Sequence, residues 1–289
     1  MRTPWFSLAL TALVSSAALA QPAKPVAPAP VMAPVPAKPV VVAKPPVASK
    51  ATLTWFGHAT FRILTPKGKT ILVDPWFTNP SNPTGKTDAA TTPADLILIT
   101  HGHFDHVGDA NDIAKRTKAH LVATFDLGNA IVAAGFPKDQ FGMDTGGNFG
   151  GTLHVLEDEV AITFVPAVHS SNVGDKGAAG GNPGGFVIAI KGGPTLYHTG
   201  DTDVFGDMSF IGKYNKIDYM LACIGGHFTM DPARAADAAK LVKAKAIIPM
   251  HFGTFPALDG TPAALGTALK KVSPGTKLMT LEIGKPITL

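Results

Sequence analysis

Cysteine is nearly absent from this chain: Cys223 is the only one in 289 residues. No intrachain disulfide can therefore close, even in an oxidising compartment, and a cysteine-rich structural zinc site is excluded. Acidic residues are missing from the first fifty positions, which carry Arg2, Lys24, Lys38, Lys44 and Lys50. The overall net charge of +4 therefore misleads, because beyond residue 50 there remain 20 basic residues against 21 acidic ones. A near-neutral domain lacks the clustered Lys and Arg that nucleic acid demands. The chain is also short of membrane-spanning sequence, since the apolar stretch from Leu8 to Leu19 does not reach the roughly 20 residues that cross a bilayer.

That stretch follows Arg2 and closes on Ala18-Leu19-Ala20 before Gln21, the pattern of a secretory signal peptide over residues 1–20. An exported, periplasmic protein is expected, with no transmembrane segment after cleavage and, for want of a cysteine near Ala20, no lipid attached there. A membrane anchor is the alternative reading of the same residues. Residues 21–50 are almost entirely Pro, Ala, Val and Lys. Such a composition favours extended conformations, offers no periodic apolar face, and reads as a disordered linker. Residues 51–289 suffice for one large core, and neither a second composition shift nor an internal period divides them.

From Ala51 onward the apolar runs are short, rich in Val and Ile, and bounded by Gly, Pro, Asn and Asp, which is strand punctuation. Strands are expected at Thr52–Phe56, Thr60–Leu64, Thr70–Asp74, Asp95–Thr100 and His120–Thr124, with helices near Asp109–Arg116 and Asp126–Ala134. The second half repeats the theme, with strands near Leu153–Leu156, Ala161–Val165, Phe186–Ile190, Thr195–His198, Ile217–Ala222 and Ala246–Met250, and a last one near Lys277–Leu281. Asp231-Pro232 and Thr261-Pro262 each place a capping side chain before a proline suited to the first helical turn. Strands mixed with helices in both halves predict an α+β fold, two sheets face to face with helices outside.

Residues 100–106 read Thr-His-Gly-His-Phe-Asp-His, so His101, His103, Asp105 and His106 offer four potential metal ligands within six positions, directly after an apolar run. Imidazoles with a carboxylate suit borderline divalent ions such as zinc, with manganese, iron or nickel also compatible. Later strand ends supply His169, Asp201 and His251. Any one of these histidines alone would pass for a hydrogen-bonded structural residue; together they predict a metal site.

The H-x-H-x-D-H cluster, the later His, the Thr199-Gly200-Asp201-Thr202 turn and the late His251 resemble the metallo-β-lactamase superfamily, over about residues 52–285. Within it, Gly57-His58-Ala59-Thr60, Asp74-Pro75 and Ile248-Pro249-Met250-His251 are similar to the branch of L-ascorbate-6-phosphate lactonase-like and N-acylphosphatidylethanolamine phospholipase D-like enzymes. The resemblance implies an αββα sandwich of two mixed β-sheets and a pair of divalent metal ions. One ion would be held by His101, His103 and His169, the other by Asp105, His106 and His251, with Asp201 bridging them. A hydroxide between the ions would cleave an ester, lactone or phosphodiester of a small-molecule or lipid-like substrate, and Asp105 would also carry the proton to the leaving group.

Three lesser expectations accompany it. His58 is a candidate to touch substrate or a metal ligand, and His227, behind Gly225-Gly226, to present a leaving-group donor, with a purely structural role the alternative reading of each. Asp74 should accept hydrogen bonds from the loop bearing His101 and His103 and so fix their rings, as the resemblance implies, and the glycine-rich stretch Gly174–Gly185 should form either a rim over the pocket or a plain connecting loop. Trp76, Phe77, Phe252 and Phe255 are candidates for an apolar groove or for the core, and His198 for packing behind the metal site. The competing functions are a non-catalytic metal-binding protein, a di-iron redox protein and a β-lactamase. The di-iron class carries a carboxylate where this chain has His103.

Overall fold

The computed structural model describes residues 50–174 and 177–289. The expected signal peptide, the linker apart from Lys50, and Asp175 and Lys176 of the glycine-rich stretch lie outside the described residues. The described chain opens as a meander in which β1 (Thr52–Trp55), β2 (Phe61–Leu64) and β3 (Thr70–Val73) pair antiparallel in sequence order. From β3 the sheet changes character, since β4 (Leu96–Leu98), β5 (His120–Thr124) and β6 (Gly146–Gly147) add in parallel. Parallel neighbours need a crossover. The connecting segments carry α1 (Gly85–Thr91), α2 (Phe104–Val107), α3 (Ala110–Thr117) and α4 (Phe125–Ala133).

The second sheet repeats the plan. Antiparallel β7 (Thr152–Val155) and β8 (Val160–Pro166) are followed by a small hairpin, β9 (Asn172–Val173) with β10 (Ala178–Ala179), and then by antiparallel β11 (Gly184–Ile190) and β12 (Thr195–His198). Beyond β12 come α5 (Met208–Tyr214), β13 (Tyr219–Cys223), α6 (Pro232–Val242), β14 (Ala246–Met250), α7 (Pro262–Val272) and β15 (Lys277–Leu278), the strands all parallel. Finally β16 (Ile287–Thr288) returns to the first sheet and pairs with β1.

Side-chain alternation builds the layers. Ile71, Val73, Leu96 and Leu98 join the core shared with the second sheet, while Leu72, Ile97 and Leu121 pack against Ile113 of α3 and Leu127 and Ile131 of α4. Strands buried on both faces read as continuous apolar runs. In α6 the alanines allow close approach, and Ala235, Ala236, Ala238, Ala239 and Val242 are buried in the main core. The result is the expected α+β sandwich of two mixed sheets with helices packed against it.

Asp231 and Thr261 cap α6 and α7, accepting backbone N–H bonds from Ala233 and Arg234 and from Ala264 respectively. Several strands are shorter than expected, for a local reason. Thr60 leaves β2 because its hydroxyl donates to the Asp74 carbonyl, and Thr100 leaves β4 because its N–H and hydroxyl donate to the Asp74 carboxylate. The short helices α1, α2 and α5 and the terminal strand β16 were not expected. α1 is polar and buries only Gly85, so it carries no periodic apolar signal.

Candidate metal centre

Parallel strands deliver the site. Asp74 follows β3, His101–His106 follow β4, Asp201 follows β12 and His251 follows β14 at once, all at carboxyl ends of parallel strands, where open α/β sheets gather ligands. His169 comes three residues after β8, and His58 sits in the turn from β1 to β2.

All seven expected ligand residues meet in one cluster. His101, His103 and His169 present mutually close nitrogens, as do Asp105, His106 and His251 with His58 added, and His101 and His106 also close on Asp201. The Oδ2 oxygen of Asp201 faces both sets, at 4.0 and 3.7 Å from Nε2 of His101 and His169 and at 3.3 and 3.0 Å from Nε2 of His106 and His251.

Do these residues suit a cation? Asp201 Oδ1 and His251 Nδ1 are buried without a hydrogen-bond partner, and Nε2 of His106 and of His251 face the Asp201 carboxylate at 3.3 and 3.0 Å outside hydrogen-bond geometry. Each such orphan costs roughly 1–3 kcal/mol, and polar atoms left so in one place fit a site built for cations. Nε2 of His101 and Nδ1 of His103 also face each other at 2.9 Å, lone-pair positions aimed at one point.

Electrostatics divides the histidines. Burial holds His101, His103 and His169 below the ordinary imidazole range, so they stay neutral and ready to donate a lone pair. Burial also opposes charge on His106 and His251, yet the nearby carboxylates, Asp201 foremost, raise both, His251 to about 9. Asp105 and Asp201 resist the upward push of burial, because the surrounding imidazoles hold both carboxyls below their usual range. Carboxylates held low and imidazoles held high thus stand side by side in the buried cluster.

Supporting contacts fix the rings. Asp74 accepts from Thr100 N–H (2.8 Å) and Thr100 hydroxyl (2.7 Å), and its Oδ2 lies 2.7 Å from His106 Nδ1. Asp74 thus accepts from the segment that leads into His101 and His103, as expected, while the ring it meets directly is that of His106. His101 is reached through Thr100, whose Oγ1 stands 3.1 Å from its Nδ1. His58 is fully buried, with Nε2 3.0 Å from Asp105 Oδ2 and Nδ1 2.9 Å from Thr254 Oγ1. Burial and the neighbouring His251 lower its pKa to about 4, so the neutral ring donates from Nε2 to Asp105 and accepts from Thr254. His58, Asp74 and His251 all adopt left-handed backbone, at φ 49°, 45° and 55°. Non-glycine residues in that conformation cluster at functional sites, where surrounding structure holds the strain.

The cluster opens into a cavity of about 690 Å³. Phe104, Phe228, Phe255 and Leu258 line it, with Ser170 and Asn172 as its polar residues outside the cluster. Of the four aromatics that could serve a groove or the core, Phe255 lines the cavity. Phe77 is fully buried in the core, Phe252 stacks on Trp55, and Trp76 stands edge-on to His58. Asn172 and Gly174 at the start of the glycine-rich stretch belong to the lining, so that end forms a rim, while Gly184 and Gly185 open a buried strand. Gly102 permits this closeness, because a Cβ there would stand 2.6 Å from the Asn172 carbonyl.

His227 is exposed and outside the cavity lining, and its ring makes a T-shaped contact with Phe228. His198 is buried behind the site, with Nε2 against the Ala59 carbonyl and Nδ1 accepting from Gly200 N–H. Thr254, Phe104 and Phe228 were missed, although the two phenylalanines adjoin residues already singled out. Thr254 lies in an irregular loop, where no sequence pattern marks it.

Residues 52–251 match a family described as the Beta-lactamase superfamily domain. A UPF0173 metal-dependent hydrolase of Thermodesulfovibrio yellowstonii is 53% identical over 244 residues, covering 82% of this chain and 91% of that protein. One from an Anaeromyxobacter species is 54% identical over 242 residues, covering 82% and 86%. Among solved structures, Igni18, described as a novel metallo hydrolase from Ignicoccus hospitalis, superposes with a TM-score of 0.72 at 35% identity, covering 83% of this chain and 98% of that one. With the sandwich, the clustered ligands and these relatives in agreement, the chain belongs to the UPF0173 metal-dependent hydrolases of the metallo-β-lactamase superfamily.

Proposed function

We propose that this hydrolase holds two divalent metal ions, zinc first among the candidates, and cleaves an ester, lactone or phosphodiester bond. His101, His103 and His169 would hold one ion and Asp105, His106 and His251 the other. The observation that carries this assignment is the single oxygen of Asp201 standing within 4.0 Å of Nε2 of His101, His169, His106 and His251. Bound there, the cations supply a water acidified toward neutral pH and a Lewis acid for the scissile group.

The chain's own residues do the rest. His58, neutral and donating to Asp105 Oδ2, keeps that carboxylate aimed at the cluster. Asp105 is then placed to accept a proton from the attacking water and pass it to the leaving oxygen. The apolar residues of the cavity exclude bulk water from that transfer. His227, outside the lining, is given no step.

The reading toward lactonase-like and phospholipase D-like enzymes rests on the similarity of two sequence runs that meet beside the cluster. The Gly57-His58 and Met250-His251 runs touch, His251 N–H donating to the His58 carbonyl at 3.0 Å and the two rings standing 3.9 Å apart. Export after removal of residues 1–20 completes the reading; fractionation and amino-terminal sequencing test it.

Elemental analysis of the purified protein should find about two divalent ions per chain, and Asp201→Ala should lose most of both. Retention of two ions by that variant, or cleavage of no phosphodiester, lactone or ester by the loaded protein, would defeat the proposal.

A further inference from the structure

The cavity around the cluster is unusually poor in charge for a site that would handle a phosphate. Among the described residues its lining holds no Lys or Arg, and its only carboxylates, Asp105 and Asp201, are already part of the ligand cluster. Apart from His103, His169 and His251 of the ligand cluster and the glycines Gly102 and Gly174, the lining is Phe104, Phe228, Phe255 and Leu258 with two uncharged polar side chains, Ser170 and Asn172. Phe104 and Phe228 are 69% and 59% exposed. Large apolar groups gathered at a cavity mouth mark a surface that an apolar ligand covers.

We infer that the substrate is an uncharged carboxylic ester or lactone with an apolar substituent. The inference rests on the hydrolase reading above and narrows it. A phosphodiester arrives charged and gains charge as it reacts; the two cations would meet the oxygens they reach, and Arg or Lys commonly meets the oxygens beyond them. An acyl substrate enters neutral. Its negative charge develops only on the carbonyl oxygen, at the cluster itself, and its substituents need no cation. In the reaction the water oxygen bonds to the acyl carbon, the acyl C–O bond breaks, and the water proton ends on the departing alcohol oxygen by way of Asp105. A lactone opens to a hydroxy acid by the same steps. The substituent lies against Phe228, Phe255 and Leu258, while Ser170 and Asn172 can meet a neutral polar group.

The test compares 4-nitrophenyl acetate, butyrate and octanoate, the anionic mono-4-nitrophenyl succinate, γ-decalactone and bis(4-nitrophenyl) phosphate with the metal-loaded protein. For the butyrate, kcat/KM should exceed that for the acetate by about tenfold, as two buried methylenes allow, and should exceed the succinate and the phosphodiester by at least as much. Phe228→Ser should lower the octanoate-to-acetate ratio about fivefold. Binding of N-phenylbutanamide, an uncleaved neutral likeness, followed by calorimetry, should weaken in the same variant. A phosphodiester or succinate turned over as well as the butyrate overturns the substrate class and leaves the hydrolase reading standing. Succinate turnover that vanishes in Lys176→Ala overturns it too, by revealing a cation that serves the site. If the loaded protein cleaves nothing in the panel, the hydrolase reading falls and the substrate class with it.

Discussion

Asp74 Oδ2 lies 2.7 Å from Nδ1 of His106, and both side chains are fully buried. The bond fixes the ring so that its other nitrogen, Nε2, is presented to Asp201 at 3.3 Å. One carboxylate at the end of β3 thereby sets the direction of a lone pair two strands' worth of loop away.

Replacing Asp74 by Asn should therefore leave the fold intact, since Asn tolerates the left-handed backbone at φ 45°, yet weaken metal binding. Removing such a supporting partner typically costs 10–100-fold in affinity, and a loss of about that size is expected. Competition with a chromogenic chelator measures it, with circular dichroism as the control for folding. An unchanged affinity would mean that His106 needs no such anchor.

His58 poses a sharper question, because it touches Asp105 and also groups with three of the expected ligands. If it only aims Asp105, His58→Asn should retain the metal content of the parent and lose turnover by roughly 10–100-fold. Loss of one ion per chain, read by elemental analysis, would instead make His58 a ligand.

Protons compete with metal at His251. Its folded-state pKa is raised to about 9 by Asp201 and Asp105, and an imidazolium cannot donate a lone pair. Apparent metal affinity should thus climb as pH rises from 6 toward 9, by up to about tenfold per unit for this one proton. The sign for the metal-free protein is opposite. A raised histidine pKa adds stability that is complete below the unfolded value of 6.5 and disappears as pH passes about 9. Chelator competition and denaturant unfolding at several pH values check the two slopes, and parallel slopes would refute the linkage.

Much of the centre was legible in sequence because its candidate ligands fall at strand ends, where an apolar run stops and a polar residue begins. His101, His103, Asp105 and His106 announce themselves by crowding, and Asp201 and His251 by the runs before them. What hid was contact across the chain. Thr254 meets His58 over a separation of 196 residues, and Asp74 meets His106 over 32, neither with a periodic signature. The fold was legible to the same degree: Val- and Ile-rich runs located the strands, whereas α1 and β16 bury too little apolar surface to leave a pattern.

The carboxyl-terminal strand β16 is small, yet it clasps β1, with Leu289 N–H on the Ala51 carbonyl and Gly284 N–H on that of Trp55. Trp55 in turn braces the His58 carbonyl through its indole N–H. A tag fused to Leu289, or trimming of the last few residues, would consequently tug on the strand that carries the histidine turn, so purification handles and truncations belong among the variables when this enzyme's metal content is compared between preparations.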